Sequence, residues 1–300
     1  MVGENTPRVS IGLPVFNGER FLEEALESLL AQTYTDIEVI ISDNASTDST
    51  QEICKKYSTT DPRVKYHRSD VNHGAAWNFN QTFQLSQGEY FKWAAHDDLV
   101  EPEFIQKCVE FMDQNEAVVL CFTRTVFIDK DRNELKEYEY PIILNDVSRK
   151  RLFMHFVCAS HIDTEIFGLI RSDILRKTRL IDGFVGSDFV LLGELVLHGS
   201  IHQLPEVLFS HREHAGRSTK ATKGPEEYTE WFDSSKRVML AMPYWRRIFE
   251  ISASVARHPM SLTEKRDYLI EICRAAKWRR HTLVTEVRRA ARRLTRGRGQ

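Results

Sequence analysis

Several usual markers of location and of stapling chemistry are missing from this chain. Cys54, Cys108, Cys121, Cys158 and Cys273 fall in no paired ligand spacing, so neither a cysteine-built zinc site nor a disulfide framework is expected, and a reducing compartment fits. No hydrophobic run approaches the ~20 residues of a membrane span. The opening residues Met1 to Arg8 carry neither the basic nor the apolar part of a signal peptide. Net charge is almost absent too: 41 Lys and Arg oppose 43 Asp and Glu, a formal −2, which points to no polyanionic or polycationic partner. There is no internal repeat and no low-complexity linker. The expectation is a cytoplasmic protein, at most peripheral to the inner face of a membrane.

What is present is a core-forming chain of 300 residues, 42% hydrophobic, long enough for one large α/β domain with an appendage. Val9-Ser10-Ile11-Gly12-Leu13-Pro14 reads as a strand, and Glu19 to Gln32 places Phe21, Leu22, Ala25, Leu26, Leu29 and Leu30 at helical spacing. Ile37 to Ser42 reads as a second buried strand, followed by a helix to about Lys56 and a short strand at Val64 to His67. Strands alternating with helices argue for βαβ units and a mainly parallel sheet. Later come a helix near Glu103 to Gln114, a strand at Val118 to Ile128, a helix at Ser187 to His198 and a strand at Leu204 to Phe209. Residues 147–174 give no clear period, and from Glu226 onward the pattern is helical.

One stretch concentrates chemistry. Tyr90 to Ala95 is apolar and strand-like, then ends in His96-Asp97-Asp98. Adjacent carboxylates repel unless a cation lies between them, which suggests a hard divalent metal with oxygen ligands. The alternative is helix-start chemistry, because Glu101-Pro102-Glu103 follows. Ligands of open α/β sheets bind at the carboxyl edge, where Pro14 to Asn17, Asp43-Asn44 and Asp97-Asp98 would converge. Convergence of three polar strand ends is more than capping requires.

Taken in order, Leu13-Pro14-Val15-Phe16-Asn17-Gly18-Glu19, Ser42-Asp43-Asn44-Ala45-Ser46-Thr47-Asp48, Asn72-His73-Gly74 with Asn78, Gly88-Glu89-Tyr90 and His96-Asp97-Asp98 resemble the family 2 glycosyltransferases over residues 9 to about 218. The resemblance implies a GT-A type nucleotide-binding fold and an inverting, metal-dependent sugar transfer from a nucleotide-diphosphate donor, a UDP-sugar by first expectation. Residues 1–218 would form that domain and 219–300 a helical region with a basic tail. Mn2+ or Mg2+ would neutralise the leaving diphosphate. The acceptor would be a glycan, a lipid-linked intermediate or a small molecule, as in polysaccharide, glycolipid or glycoconjugate synthesis.

Position by position, the resemblance makes Asp98 the direct metal ligand and Asp97 a contact to the donor ribose or to the metal through water; His96 receives no role. Phe16 would pack on the base, with Pro14, Asn17 and Glu19 beside it, although Phe16 alone could equally be core. Asp43 and Asn44 would read the base edge, while Thr47 and Asp48 look like a helix cap. Asn72, Gly74 and Asn78 would line the nucleotide wall, where Trp77 stands in place of an arginine common in relatives. Asp188, in Gly186-Ser187-Asp188-Phe189, is the candidate general base, with helix capping as the other reading. Arg212 would touch the diphosphate and His214 the metal.

Two further points complete the reading. From Arg274 to Arg298 arginines are dense and Glu286 is the only acid, which fits either a solvated helix or attraction to an anionic membrane face with Trp278 as an interfacial anchor. No nucleic-acid recognition motif accompanies the charge. A nucleotidyltransferase of related architecture would need a basic, glycine-rich loop after the first strand, and Gly12 to Gly18 lacks it; a non-catalytic nucleotide- or carbohydrate-binding module is the rival outside enzymes.

Overall fold

The computed structural model describes residues 6–140, 147–158, 162–217, 224–234 and 241–296. Strands β1 (Val9–Val15) and β2 (Ile37–Asp43) are buried along their whole length, as strands covered on both faces must be. Helix α1 (Leu22–Leu30) joins them, and α2 (Thr50–Thr60), β3 (Val64–Arg68), α3 (Ala75–Gln84) and β4 (Tyr90–Trp93) continue the alternation. Next come β5 (Leu99–Val100), α4 (Phe104–Gln114), β6 (Val118–Ile128) and β7 (Glu134–Glu137). The aperiodic 147–174 stretch contains α5 (Arg149–Cys158), a 3-10 turn at Thr164–Phe167, β8 (Leu169–Arg171) and the start of α6 (Ser172–Leu175). Helix α7 (Ser187–His198) leads into β9 (Ser200–Arg212). Among the described residues α8 (Pro225–Phe232), α9 (Pro243–Arg257), α10 (Leu262–Trp278) and α11 (Arg280–Arg296) follow.

Among the described residues the strands form one sheet in the order β3-β2-β1-β4-β8-β6-β9-β5, with β7 on β6. Strands β3, β2, β1 and β4 run parallel, so their carboxyl ends share an edge as expected. Strand β8 then enters antiparallel to β4 and β6, while β6 and β9 pair in parallel and β5 and β7 pair antiparallel with β9 and β6. The parallel character thus belongs to the first four strands and the β6–β9 pair; β8 arrives from a 3-10 turn instead of a crossover helix.

Alternation along the strands feeds two cores. Val9, Ile11, Leu13 and Val15 pack with α1 and α4 on one face, whereas Phe91 and Trp93 pack with α5 and α7 on the other. The second core also takes Ile251 and Val255 of α9 and Ile272 and Ala275 of α10. The boundary expected at 218 lies outside the described residues, but the helices beyond it share this core with the sheet. Among the described residues no helix is long and apolar enough to cross a membrane.

Candidate active site

The first wall is built where β1 and β2 end. Asn17 adopts a left-handed backbone (φ 52°), its N–H donates to Ser46 Oγ at 2.9 Å, and its Oδ1 accepts from Thr47 N at 2.8 Å. Glu19 Oε2 accepts from Ser49 N at 2.9 Å, and Asp48 Oδ2 accepts from Glu19 N at 3.1 Å. Glu19 therefore satisfies a free N–H at the start of α2 and does not extend α1. Pro14 is buried opposite Ser42. Phe16, in contrast, is 41% exposed at the strand end, a flat apolar surface offered outward.

The second group stands on the β2 end. Asp43 is fully buried: its Oδ1 accepts from Ser46 N at 2.8 Å, and its Oδ2 accepts from the Tyr66 hydroxyl at 2.9 Å and from Arg68. Burial, then Asp43 itself, pushes the Tyr66 phenol well up, so it stays a donor. Asn44 Nδ2 donates to Asn72 Oδ1 at 2.9 Å and Gly74 O at 3.1 Å, and its Oδ1 accepts from His73 N at 3.0 Å. Gly74 has φ 89°, and a side chain there would meet the backbone of Phe232 and Ser234. Asn78 Nδ2 donates to Val15 O at 3.2 Å, whereas its Oδ1 is buried without a partner in the structure. Trp77, where an arginine was expected to be common, stacks on His73 at 4.3 Å.

The carboxylate pair divides. Strand β5 pairs with β9 with Leu99 opposite Ser210, so one step back brings Asp98 to His211. Asp98 is 5% exposed; its Oδ1 accepts from Arg212 N at 2.9 Å and its Oδ2 contacts His211 Nδ1 at 3.1 Å. Asp97 is more open, and its Oδ2 contacts His214 Nε2 at 2.8 Å. Burial would raise the Asp97 carboxyl, but His96, His214 and His211 outweigh it and hold it well below the usual carboxylate range. His214 packs on Phe21 at 4.8 Å, and the His96 ring lies against Gly18, which ties this loop to the end of β1.

Arg212 was expected at a diphosphate, and its position differs. It ends β9 fully buried, with Nε donating to Asp97 O at 2.8 Å, an Nη to Lys130 O at 3.1 Å and the other to Glu24 Oε2 at 2.6 Å; its guanidinium lies over Phe21 at 4.6 Å. Every edge of the guanidinium is in use within the protein, so it braces the loop that carries Asp97 and is not presented to a ligand.

The third group surrounds Asp188. Gly186 takes φ 88° and turns the chain into α7, and Asp188 sits in the first turn with Oδ1 accepting from Phe189 N at 2.8 Å. Facing it is Asp163, which precedes the 3-10 turn. Burial, then the charge of Asp188 and a hydrogen bond to it, then Glu165, raise the Asp163 carboxyl well above its ordinary range. The Asp163 carboxyl therefore keeps its proton beside Asp188. Arg247 of α9 lies buried beside them, its guanidinium 4.3 Å over the Phe189 ring and donating to Phe156 O; burial lowers it to about 10 against the pull of Asp188. Asp163 and Arg247 escaped the sequence reading, one in the aperiodic stretch and the other in the C-terminal helices. His211 carried a signal, the alternation Ser210-His211-Arg212-Glu213-His214.

The fold is thus an α/β sheet with a polar carboxyl edge and a largely buried carboxylate–histidine pair. The model of glycosyl transferase family 2 matches residues 10–179, and the chain belongs to that family; it is a glycosyltransferase. It is 25% identical over 227 residues to an uncharacterized glycosyltransferase of Haemophilus influenzae, covering 72% of this chain and 68% of that one. It is 31% identical over 156 residues to chondroitin synthase of Escherichia coli, covering 52% of this chain but 22% of that protein. Among solved structures, S. aureus TarS 1-349 in complex with UDP-GlcNAc superposes with TM-score 0.68 at 16% identity over 90% of this chain and 72% of that one. A mannosyltransferase from Pyrobaculum calidifontis in complex with GDP-Man and Mn2+ gives TM-score 0.53 at 16% identity over 92% and 88%. The two likenesses show the GT-A fold.

Proposed function

We propose that this glycosyltransferase is inverting and metal-dependent, and that it moves a sugar from a nucleotide-diphosphate donor to an acceptor hydroxyl. The observation that carries the reading is the Asp97–His214 contact beyond the ends of β1 and β4, with Asp97 held as the anion. Among the described residues no group of three or more His, Cys, Asp or Glu could hold a metal. The Asp97 carboxylate nevertheless fits Mn2+ or Mg2+, which usually complete their shells with water and substrate phosphates; His214, whose Nδ1 accepts from Gly216 N, would join an ion by exchanging its Nε2 contact to Asp97. Asp97 and His214 are the residues proposed to hold it. Asp98, which the motif alone suggested, has both oxygens engaged by His211 and Arg212 and is proposed to fix the loop. When bound, such an ion neutralises charge on the leaving diphosphate.

The chain's own groups supply the rest. Phe16 offers an apolar face to the base, and Asn78 fixes the end of β1 beside it through Val15 O. Asn44, Asn72 and Gly74 form a rigid wall, because their polar groups satisfy one another. Asp188 takes the proton from the acceptor hydroxyl as it attacks. Asp163 keeps its own proton and donates a hydrogen bond to Asp188, which orients the base. UDP- and GDP-sugars are the donors to test, since TarS and the mannosyltransferase were solved with one of each.

Calorimetric titration of a panel of nucleotide sugars with and without MnCl2 tests the reading. One donor should bind at least tenfold tighter with Mn2+, Asp97→Ala should remove that gain, and Asp188→Asn should bind normally but transfer at least about a hundredfold more slowly. Full transfer by Asp188→Asn, or a Mn2+ gain intact in Asp97→Ala, would overturn the corresponding assignment.

A further inference from the structure

The C-terminal helices expose apolar surface that the sheet does not use. On α10, Tyr268, Ile272 and Ala275 face the core, while the acids Glu264, Asp267 and Glu271 recur at three- and four-residue spacing on a second face. Leu262 (85% exposed), Lys265, Arg266, Leu269, Ile270 and Lys277 recur on a third, and line an open groove of about 770 Å³. No acidic residue lines it. On α9, Ala256 lines the groove, and Trp245, Phe249 and Ser252 precede it at helical spacing on the same helix. Phe249 is 67% exposed and Trp278, which closes α10, is 75% exposed.

We infer that this α9–α10 face docks on an anionic lipid bilayer. Aliphatic and aromatic side chains ringed by lysine and arginine match the interface of a membrane, although Arg266 and Arg274 also pair with Asp267 and Glu271 of the neighbouring face: apolar groups enter the acyl boundary while the cations meet lipid phosphates. Long basic side chains suit that rim because their stems lie along apolar surface and their heads reach outward. The basic tail is not the main contact. Helix α11 folds back so that Leu283 is buried, Glu286 caps the start of α9 through Tyr244 N and Trp245 N, and Arg293 pairs with Glu226 at 2.9 Å. The docking surface lies on the preceding helices, and the inference does not depend on the donor or metal assignments.

Flotation of the full chain with vesicles of phosphatidylcholine, with or without phosphatidylglycerol, tests it. The protein should float with the phosphatidylglycerol vesicles alone, and less as salt rises. Lys265→Glu/Arg266→Glu/Lys277→Glu should weaken partition by about a hundredfold or more, since each basic residue near such a surface counts for about 1 kcal/mol. Leu262→Asp/Ile270→Asp should also weaken it, with the circular dichroism spectrum and donor binding unchanged. Failure to float with anionic vesicles, or flotation indifferent to both variants and to salt, overturns the inference. So does a lipid-free dimer that Leu262→Asp/Ile270→Asp dissociates, which would assign the face to a second copy.

Discussion

At the scale of single residues, the informative contrast is between two neighbouring aspartates. Motif position alone made Asp98 the metal ligand and Asp97 its helper, yet Asp97 faces a histidine at the open edge and Asp98 is locked between a backbone N–H and a buried ring. The second pair, Asp163 and Asp188, makes a sharper prediction. If Asp163 acts by donating a hydrogen bond to Asp188, an amide can do the same work. Asp163→Asn should retain transfer within a few-fold, whereas Asp163→Ala should lose about tenfold or more in kcat with little change in donor KM. The pH profile adds a readout: wild type should lose activity as Asp163 ionises at high pH, because two adjacent anions repel, and Asp163→Asn should lack that alkaline limb. Equal kcat and pH profile in all three proteins would remove the role.

At the scale of elements, strands and helices with a long, clean period were legible. Strands β1 and β2 stood out as β-branched runs, and α1, α4 and α7 by their apolar stripes. Short elements were not: β5 has two residues and β8 three, too few for any period, and their places come from pairing with β9 and β6. Strand β9 runs from Ser200 to Arg212, beyond the Leu204–Phe209 expected, because register shifts around Pro205 let the proline sit without breaking the ladder. This length puts Arg212 on the strand itself. The β5–β9 pairing and the Arg212 clamp together aim Asp97, so Arg212→Met should lower stability by about 1–3 kcal/mol, the scale for leaving the Asp97 and Lys130 carbonyls without their donor. Glu24→Gln should cost less, because Arg212 keeps its carbonyl partners. Chemical denaturation of the two variants checks the order; equal costs would mean that Glu24, not the loop carbonyls, holds the arginine.

At the scale of the molecule, the site is assembled by parts of the chain far apart in sequence, which is why its motifs could be read but its geometry could not. The N-terminal strands supply the proposed nucleotide wall, the end of β9 and the turn after it supply His211 and His214, and α9 supplies the arginine beside Asp188. One group tests how tightly this whole is packed. Lys92 on β4 is fully buried against Phe104 at 4.3 Å, donates to Phe167 O, and is lowered to about 7 by burial. An unfolded lysine titrates near 10.4, so below pH 7 the folded protein must hold an ammonium that burial disfavours, and that cost is fully present there. It fades as pH rises from about 7 toward 10, where the unfolded chain alone keeps the proton and folding releases it. Lys92→Met should therefore be more stable than wild type at pH 6.5, and its advantage should shrink by up to about 1.4 kcal/mol per pH unit on going to pH 9. Denaturant unfolding of both proteins at the two pH values measures the difference; an advantage that grows with pH would mean that Lys92 is stabilised as a cation by its surroundings.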